Sequence, residues 1–338
     1  MLRAAILLAM MYWFWVLSTI QTSFRQMSTA GNRLVIFGLT FTALLMALAI
    51  PAAFEERGLL FAGAYWSGRA LVFVTLARRT PAVRPVYAVS LLLTGPLLVA
   101  GALLESPYRE VLWAAAALAE ILAPRVNHRR MRTLVYDLEH IVERFGLLVI
   151  IALGETIIST GEPLAETMRF SLPEIITFTA AFVLTISLWW LYFDHSATYL
   201  GRHLESAPVT FEAVRGALTY TQFWIVGGVI AVAVGVHESL LEPLKPLPVV
   251  VGLLMLGGTT AFYAVFTHLR FTVTGRLHRS RILGVLGCLV LAVGLPWLPA
   301  AGVMVGLAVL TVATNVWERL HPASAGAPSG ADWYLDEH

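Results

Sequence analysis

Along the whole chain, apolar residues run in blocks and polar residues fall between the blocks. Eleven blocks, a few of them short, suit the roughly 17 to 25 residues that a helix needs to cross a bilayer. They cover 4–20, 33–53, 58–77, 86–104, 110–123, 144–161, 173–194, 215–237, 248–270, 281–295 and 298–317. The pattern predicts an all-α, polytopic integral membrane helix bundle of about eleven transmembrane helices. Two alternatives stay open: 33–53 as two shorter pieces, and 281–317 as one re-entrant hairpin. Pro51, Pro96, Pro296 and Pro299 do not argue against helices, because neighbouring helices can satisfy the backbone groups a proline frees. The longest polar stretches are the loop 124–143 and the tail HPASAGAPSGADWYLDEH. The chain therefore divides into a first membrane half, 1–138, with five helices and a basic cytoplasmic loop, and a second, 139–320, with six helices. A disordered cytoplasmic tail, 321–338, follows.

Composition strengthens the membrane reading. The chain is 58% hydrophobic and 13% charged with a mean hydropathy of +0.76, well outside the range of soluble domains. The net charge of +2 comes from loop residues and points to no nucleic acid. The one cysteine, Cys288, excludes a disulfide framework and reads as a buried thiol. If the helices alternate in direction, seventeen arginines gather on one side: Arg25, Arg33, Arg78, Arg79, Arg84, Arg125, Arg129, Arg130, Arg132, Arg144, Arg202, Arg215, Arg270, Arg276, Arg279, Arg281 and Arg319. Five basic residues, Arg3, Arg57, Arg109, Arg169 and Lys245, fall on the other. The positive-inside rule puts the seventeen and the C-terminus in the cytoplasm. Met1 is then outside, although Arg3 ahead of an apolar helix favours the cytoplasm. Segment 4–20 has no small-residue cleavage site and carries YWFW at its centre, so it reads as a retained helix and not a signal peptide.

The two halves resemble each other. MYWFWVLST and SLWWLYFDH both cluster Trp and Tyr. After each comes an inner arginine (Arg33, Arg215), then a helix rich in small residues that ends in outer acids (Glu55 and Glu56; Glu238), then a basic loop, ARRTPAVRP or RFTVTGRLHRSR. The offset is roughly 176 to 193 residues, and weak similarity of this kind accompanies transporter repeats. Aromatic belts and basic loops common to all polytopic proteins are the competing explanation. The helix 144–161 has no counterpart before the first Trp-rich helix, so a missing first helix is expected ahead of Met1; the codons upstream would test this.

Charges inside the apolar blocks are the candidates for chemistry. In HIVERFGLLVIIALGETIIST the residues His140, Arg144, Ile151, Glu155 and Ile158 share one helical stripe. Arg144 and Glu155 are about 16 Å apart along the axis and cannot pair. An unpaired charge near the bilayer centre costs at least about 2.5 to 3.5 kcal/mol, which makes Glu155 the leading functional candidate. Gly154 beside it would admit a helix or a permeating species. Arg69, in LLFAGAYWSGRALVFV, calls for an acid partner, with Glu155 one candidate and snorkelling the alternative. Glu120 and Asp194 lie near inner helix ends, with Asp194 and His195 at the membrane surface behind a Trp-Tyr belt. His140 and Glu143 give H-x-x-E without a second copy, and no zinc, P-loop or nucleophile-elbow motif occurs. No metal and no cofactor is expected.

HIVERFGLLVIIALGETII closely resembles the signature of the bacterial low temperature requirement protein A family. AIPAAFEERGLLFAGAYWSGRALVF, LWWLYFD and the small-residue helix 216–237 extend the resemblance over nearly the whole chain. It implies a multi-pass protein of the bacterial cytoplasmic (inner) membrane, linked to growth in the cold. By resemblance the family pattern falls on Glu143, Arg144, Gly146, Gly154 and Glu155, and on Trp189, Trp190, Tyr192, Phe193 and Asp194. The chain departs from it at Gln222, where a His is common, and in having no opening segment like ELFFDLVFVFA. The expected function is a channel or transporter for a small ion or solute, with Glu155 as its site. The alternatives are an intramembrane enzyme acting on lipid through Glu143, Arg144 and His140, and a non-catalytic membrane factor. Membrane lipid and a small ion or solute are the expected partners, and a homo-oligomer is left open. The charge bias requires Arg129, Arg130 and Arg132 to be cytoplasmic. A cysteine at Thr133, in a chain whose Cys288 is changed to Ser, should resist a membrane-impermeant maleimide in intact cells and react after permeabilisation; labelling in intact cells would reverse the orientation.

Overall fold

The structure is a computed structural model and describes residues 1–23, 30–77, 84–126, 138–167, 171–193, 219–274 and 279–321. Among the described residues the fold is all helical, without strands. In chain order the helices are α1 (Leu2–Ser23), α2 (Ala30–Ala49), α3 (Gly58–Ala77) and α4 (84–103). There follow α5 (Tyr108–Val126), α6 (Leu138–Thr167), α7 (Leu172–Tyr192), α8 (Thr221–Leu241), α9 (Val249–Thr274), α10 (Arg279–Gly294) and α11 (Ala300–Leu320). Among the described residues, six stretches are long and apolar enough to cross a membrane: Leu2–Ile20, Ala30–Ala52, Leu172–Tyr192, Thr221–Leu241, Val249–His268 and Ala300–Leu320. The other helices are shorter, interrupted, or carry charges within their length, which lowers their hydropathy. The loop cations of 127–137, Asp194 and His195, and the tail from 322 onward lie outside the described residues.

Large apolar side chains face outward. Leu34, Phe37, Phe41, Leu44 and Leu48 form an exposed stripe on α2, and Leu286, Leu289, Val290 and Val293 are exposed on α10. Several charged and polar side chains lie inside instead, among them Arg69, Glu120, Arg281 and Glu318. Water would penalise such an arrangement, whereas hydrocarbon favours it because apolar groups are at home in lipid and a charge is not. The chain is a multi-pass membrane protein.

It divides into two compact units, one built on Met1–Ile141 and the other on the helices from Val142 onward. In the first, α1 to α5 pack in cyclic order, each against the next and α5 against α1, with a further contact of α1 with α3. In the second, α7 to α11 pack in the same cyclic order, with a further contact of α8 with α11. Helix α6 is additional: Val149, Ala152 and Leu153 enter the apolar core of the second unit.

Local chemistry sets the helix ends. Ser171 and Glu174 form a capping box at the start of α7, the backbone N–H of Ser171 donating to Glu174 Oε2 at 2.7 Å, which satisfies donors that the first turn leaves open. Arg109 on α5 closes other ends: its guanidinium donates to the carbonyls of Ala102 (3.0 Å), Leu104 (3.0 Å) and Glu55 (2.8 Å). In α4 the residues Ser90–Thr94 are π-helical and precede Pro96. Five residues after Leu91, where a π-turn would draw its donor, stands this proline without an N–H. Trp66 Nε1 donates to the Leu91 carbonyl instead, at 3.1 Å, and Gly95 is needed there because a Cβ would collide with the Trp66 ring.

Helices α8 and α9 cross backbone to backbone. A Cβ on Gly228 would lie 2.7 Å from the Gly258 carbonyl oxygen, and one on Gly258 would press against the Gly228 carbonyl. Backbone cannot move aside as a flexible side chain can, so added volume must separate the helices. Gly257, the preceding residue on α9, has open space where a Cβ would stand, with nothing within 4 Å. Gly258→Ala should therefore lower the melting temperature in detergent, by the equivalent of about 1 to 3 kcal/mol, while Gly257→Ala should leave it unchanged or slightly raised. Equal melting of the two variants would contradict the close crossing.

Candidate functional site

Arg69 is carried by α3 in the first unit, and one turn earlier on the same face is Tyr65. Helix α5 presents Glu120, and Arg69 Nη2 donates to Glu120 Oε2 at 2.8 Å. Both side chains are shut away from the surface, at 4% and 2% exposure. Tyr65 is fully buried and lies, like Tyr87 from α4, within electrostatic reach of both charges. The counter-charge of Arg69 is thus Glu120, which ties α3 to α5 across the cyclic packing of that unit. In a low dielectric such a pair gains strong attraction, and losing either partner leaves a buried charge uncompensated.

The second unit has a buried pair too, between α10 and α11. Arg281 Nε donates to Glu318 Oε1 at 2.7 Å and Nη2 to Oε2 at 3.0 Å, a two-point geometry, and Ser280 Oγ donates to Glu318 Oε1 at 2.9 Å. The guanidinium also lies 5.8 Å from the Phe266 ring centroid. Tyr263, fully buried on α9, donates to Thr314 Oγ1 at 3.3 Å. Sequence reasoning counted Arg281 with the inner-loop cations and passed over Glu318. The available signal was an acid in the last turn of an apolar helix, ATNVWERL, where the chain could have placed it in water.

The two sites share a spacing: 55 residues separate Tyr65 from Glu120, and 55 separate Tyr263 from Glu318. In each unit the tyrosine is on the third helix of the cyclic set and the acid on the fifth. The arginine differs, coming from the third helix in one unit and from the fourth in the other.

The residues of the HIVERFGLLVIIALGETIIST stretch lie on α6. Glu155 is exposed, in line with exposed Ile151 and Ile158, and nothing lies within 4 Å of the place a Cβ on Gly154 would take. Glu143 is exposed and Arg144 half-buried. The opposite face is packed: Thr156 is buried, and Gly146 faces the Phe193 ring. The side chain of His140, like Asp194, lies outside the described residues. The structure therefore brings Arg69 and Glu120 together within the first unit; Glu143, Arg144, Gly154 and Glu155 are carried by α6. Among the described residues, no three His, Cys, Asp or Glu side chains gather as metal ligands would.

The family model of the bacterial low temperature requirement A protein, LtrA, matches residues 1–316. The chain belongs to the LtrA family. An uncharacterized protein of Rhizobium meliloti (strain 1021) is 30% identical to it over 298 residues, covering 84% of this chain and 72% of that protein. No solved structure matches it. In this LtrA family chain, Gln222 on α8 is buried and donates through Nε2 to the Tyr192 hydroxyl of α7, a polar contact between two helices.

The buried pair of the first unit makes a claim about stability. Glu120→Leu should cost about 3 to 5 kcal/mol, because the Arg69 charge stays behind without its partner. Adding Arg69→Met should recover most of the loss, since an apolar pair of similar volume is tolerated where an ion pair stood. Melting curves of the single and double variants in detergent check this; a double variant no more stable than the single would show that the two charges are not coupled.

Proposed function

We propose that this protein is a channel or transporter for a small ion or polar solute in the bacterial cytoplasmic membrane, with its C-terminus in the cytoplasm. The observation that carries the proposal is the recurrence of one polar arrangement, a buried Arg–Glu pair near a fully buried tyrosine, on the same cyclic packing in both units. Ionisable residues within membrane helices are costly to keep, and they mark ion and substrate paths. Transporters are commonly built from two repeats with polar sites in corresponding places. The proposal accordingly includes two similar halves, with α6 as the helix that has no counterpart in the first. A carboxylate held by an arginine can exchange that partner for a proton or a permeating cation, and the cost of the guanidinium left behind favours its return, which makes the exchange reversible.

Glu155 is the proposed entry or binding carboxylate. Its face opens outward beside Gly154, and an ionised acid held against hydrocarbon would be unfavourable, so a polar species has reason to reach it. The arginine bias of the loops and the family's bacterial membrane setting support the orientation and location.

Purified protein in liposomes should carry proton, sodium or potassium flux above protein-free liposomes, read with ion-sensitive dyes. Glu155→Gln should leave it folded and inserted, while reducing flux roughly tenfold or more and failing to complement a cold-growth defect. Wild-type liposomes that carry none of these ions and no small solute would sink the transport reading, and full complementation by Glu155→Gln would make that residue a structural hydrogen-bonding group.

A further inference from the structure

A groove runs down the outer surface of the second unit between α7 and α11. Its wider part encloses about 590 Å³ and is lined by Ile175, Ile176, Val183, Val305, Val309 and their neighbours. A narrower part of about 270 Å³ continues it, the two sharing Val183, Val312 and Val316, and ends at Trp190, Asn315 and Arg319. We infer that this groove binds one anionic phospholipid, an acyl chain lying along the valines and the phosphate seated on Arg319.

Three observations select that occupant. The first is length: from Ile175 to Trp190 the groove follows α7 for roughly 22 Å at 1.5 Å per residue, enough for a chain that crosses one leaflet of a roughly 30 Å hydrocarbon core. The second is that the wall's polar groups are already engaged within the protein. Thr179 Oγ1 donates to the Ile175 carbonyl at 2.8 Å, Ser187 Oγ to the Val183 carbonyl at 2.8 Å, and Asn315 Nδ2 to the Ser187 carbonyl at 2.9 Å. A polar solute would find little to bind along most of the groove, while a hydrocarbon chain loses nothing there.

The third is the charge at one end. Arg319 is exposed in the last turn of α11, its guanidinium 5.5 Å from the centroid of the Trp190 ring, and no acid among the described residues pairs with it. Stacking on an indole holds the planar group in place while leaving its N–H edge available, and that edge matches a phosphate in two-point geometry. A tryptophan at this level also suits the membrane interface. With the orientation proposed above, the headgroup lies in the cytoplasmic leaflet, where anionic lipids attract arginine. This inference is independent of any transported ion, and it predicts retention of a particular lipid class, not general annular contact.

Native mass spectrometry of the full chain in detergent, titrated with dioleoylphosphatidylglycerol or dioleoylphosphatidylcholine, tests it. The wild type should retain one phosphatidylglycerol in preference to phosphatidylcholine, and excess inorganic phosphate should not displace it. Arg319→Gln should weaken phosphatidylglycerol retention roughly tenfold, the share of one charge-assisted contact, while Arg319→Lys should keep most of it. Ala313→Trp, which fills the groove at an exposed position without touching the charge, should reduce the retention of both lipids. All three variants should elute as single species like the wild type. Equal retention of the two lipids by the wild type, unchanged retention in both Arg319→Gln and Ala313→Trp, displacement by phosphate alone, or a dimer that Ala313→Trp dissolves would each overturn the assignment, the last by making a second copy the occupant.

Discussion

A guanidinium or carboxylate placed among hydrocarbon must bring its counter-charge with it, and much of this structure follows from that constraint. In the first unit the requirement is met by Arg69 and Glu120, which join the third and fifth helices across the fourth. In the second it is met by Arg281 and Glu318 on adjacent helices, with Ser280 adding a further donor to the carboxylate. Either pair is worth little as a net gain over apolar packing, because desolvation offsets most of the attraction. Its value lies in specificity: shifting one helix past another by a turn would strand two charges, so the pair selects one register.

The backbone obeys the same rule at smaller cost per group. Pro96 denies α4 a donor, and the helix responds with a π-helical stretch while Trp66 supplies an N–H to Leu91 from α3. Arg109 similarly gathers carbonyls from the end of α4 and from the turn ahead of α3. Where no polar group intervenes, contact rests on small residues, and Gly228 and Gly258 let two helices meet backbone to backbone. Without water to complete unmet hydrogen bonds, each irregularity is answered by a neighbouring helix.

The correspondence between the units has a chemical reading. Tyrosine and glutamate keep their helices and their spacing, while the arginine moves from the third helix to the fourth. A buried acid needs a cation within reach, but more than one helix can supply it, so the acid's position is more constrained than that of its partner. This is the behaviour expected if the carboxylates are the working groups and the arginines compensate them.

The helical, membrane-spanning character was determined by sequence alone, because hydrocarbon thickness and backbone hydrogen bonding leave long apolar helices as the available solution, and the family was legible in the 140–160 stretch. Charges inside the apolar runs stood out for the same reason: Arg69 and Glu120, which the structure buries, and Glu155, which it leaves exposed, have no local excuse. Their partners were not legible, since pairing across 51 or 37 residues depends on which helices lie side by side, and periodicity within one helix carries no information about that. Arg281 shows the limit most plainly. At a helix end a cation can reach water or fold inward, and only Glu318, brought alongside by the packing of α11 on α10, decided that it is buried. The groove ending at Arg319 is likewise a property of two helices together, because its shape exists only between them.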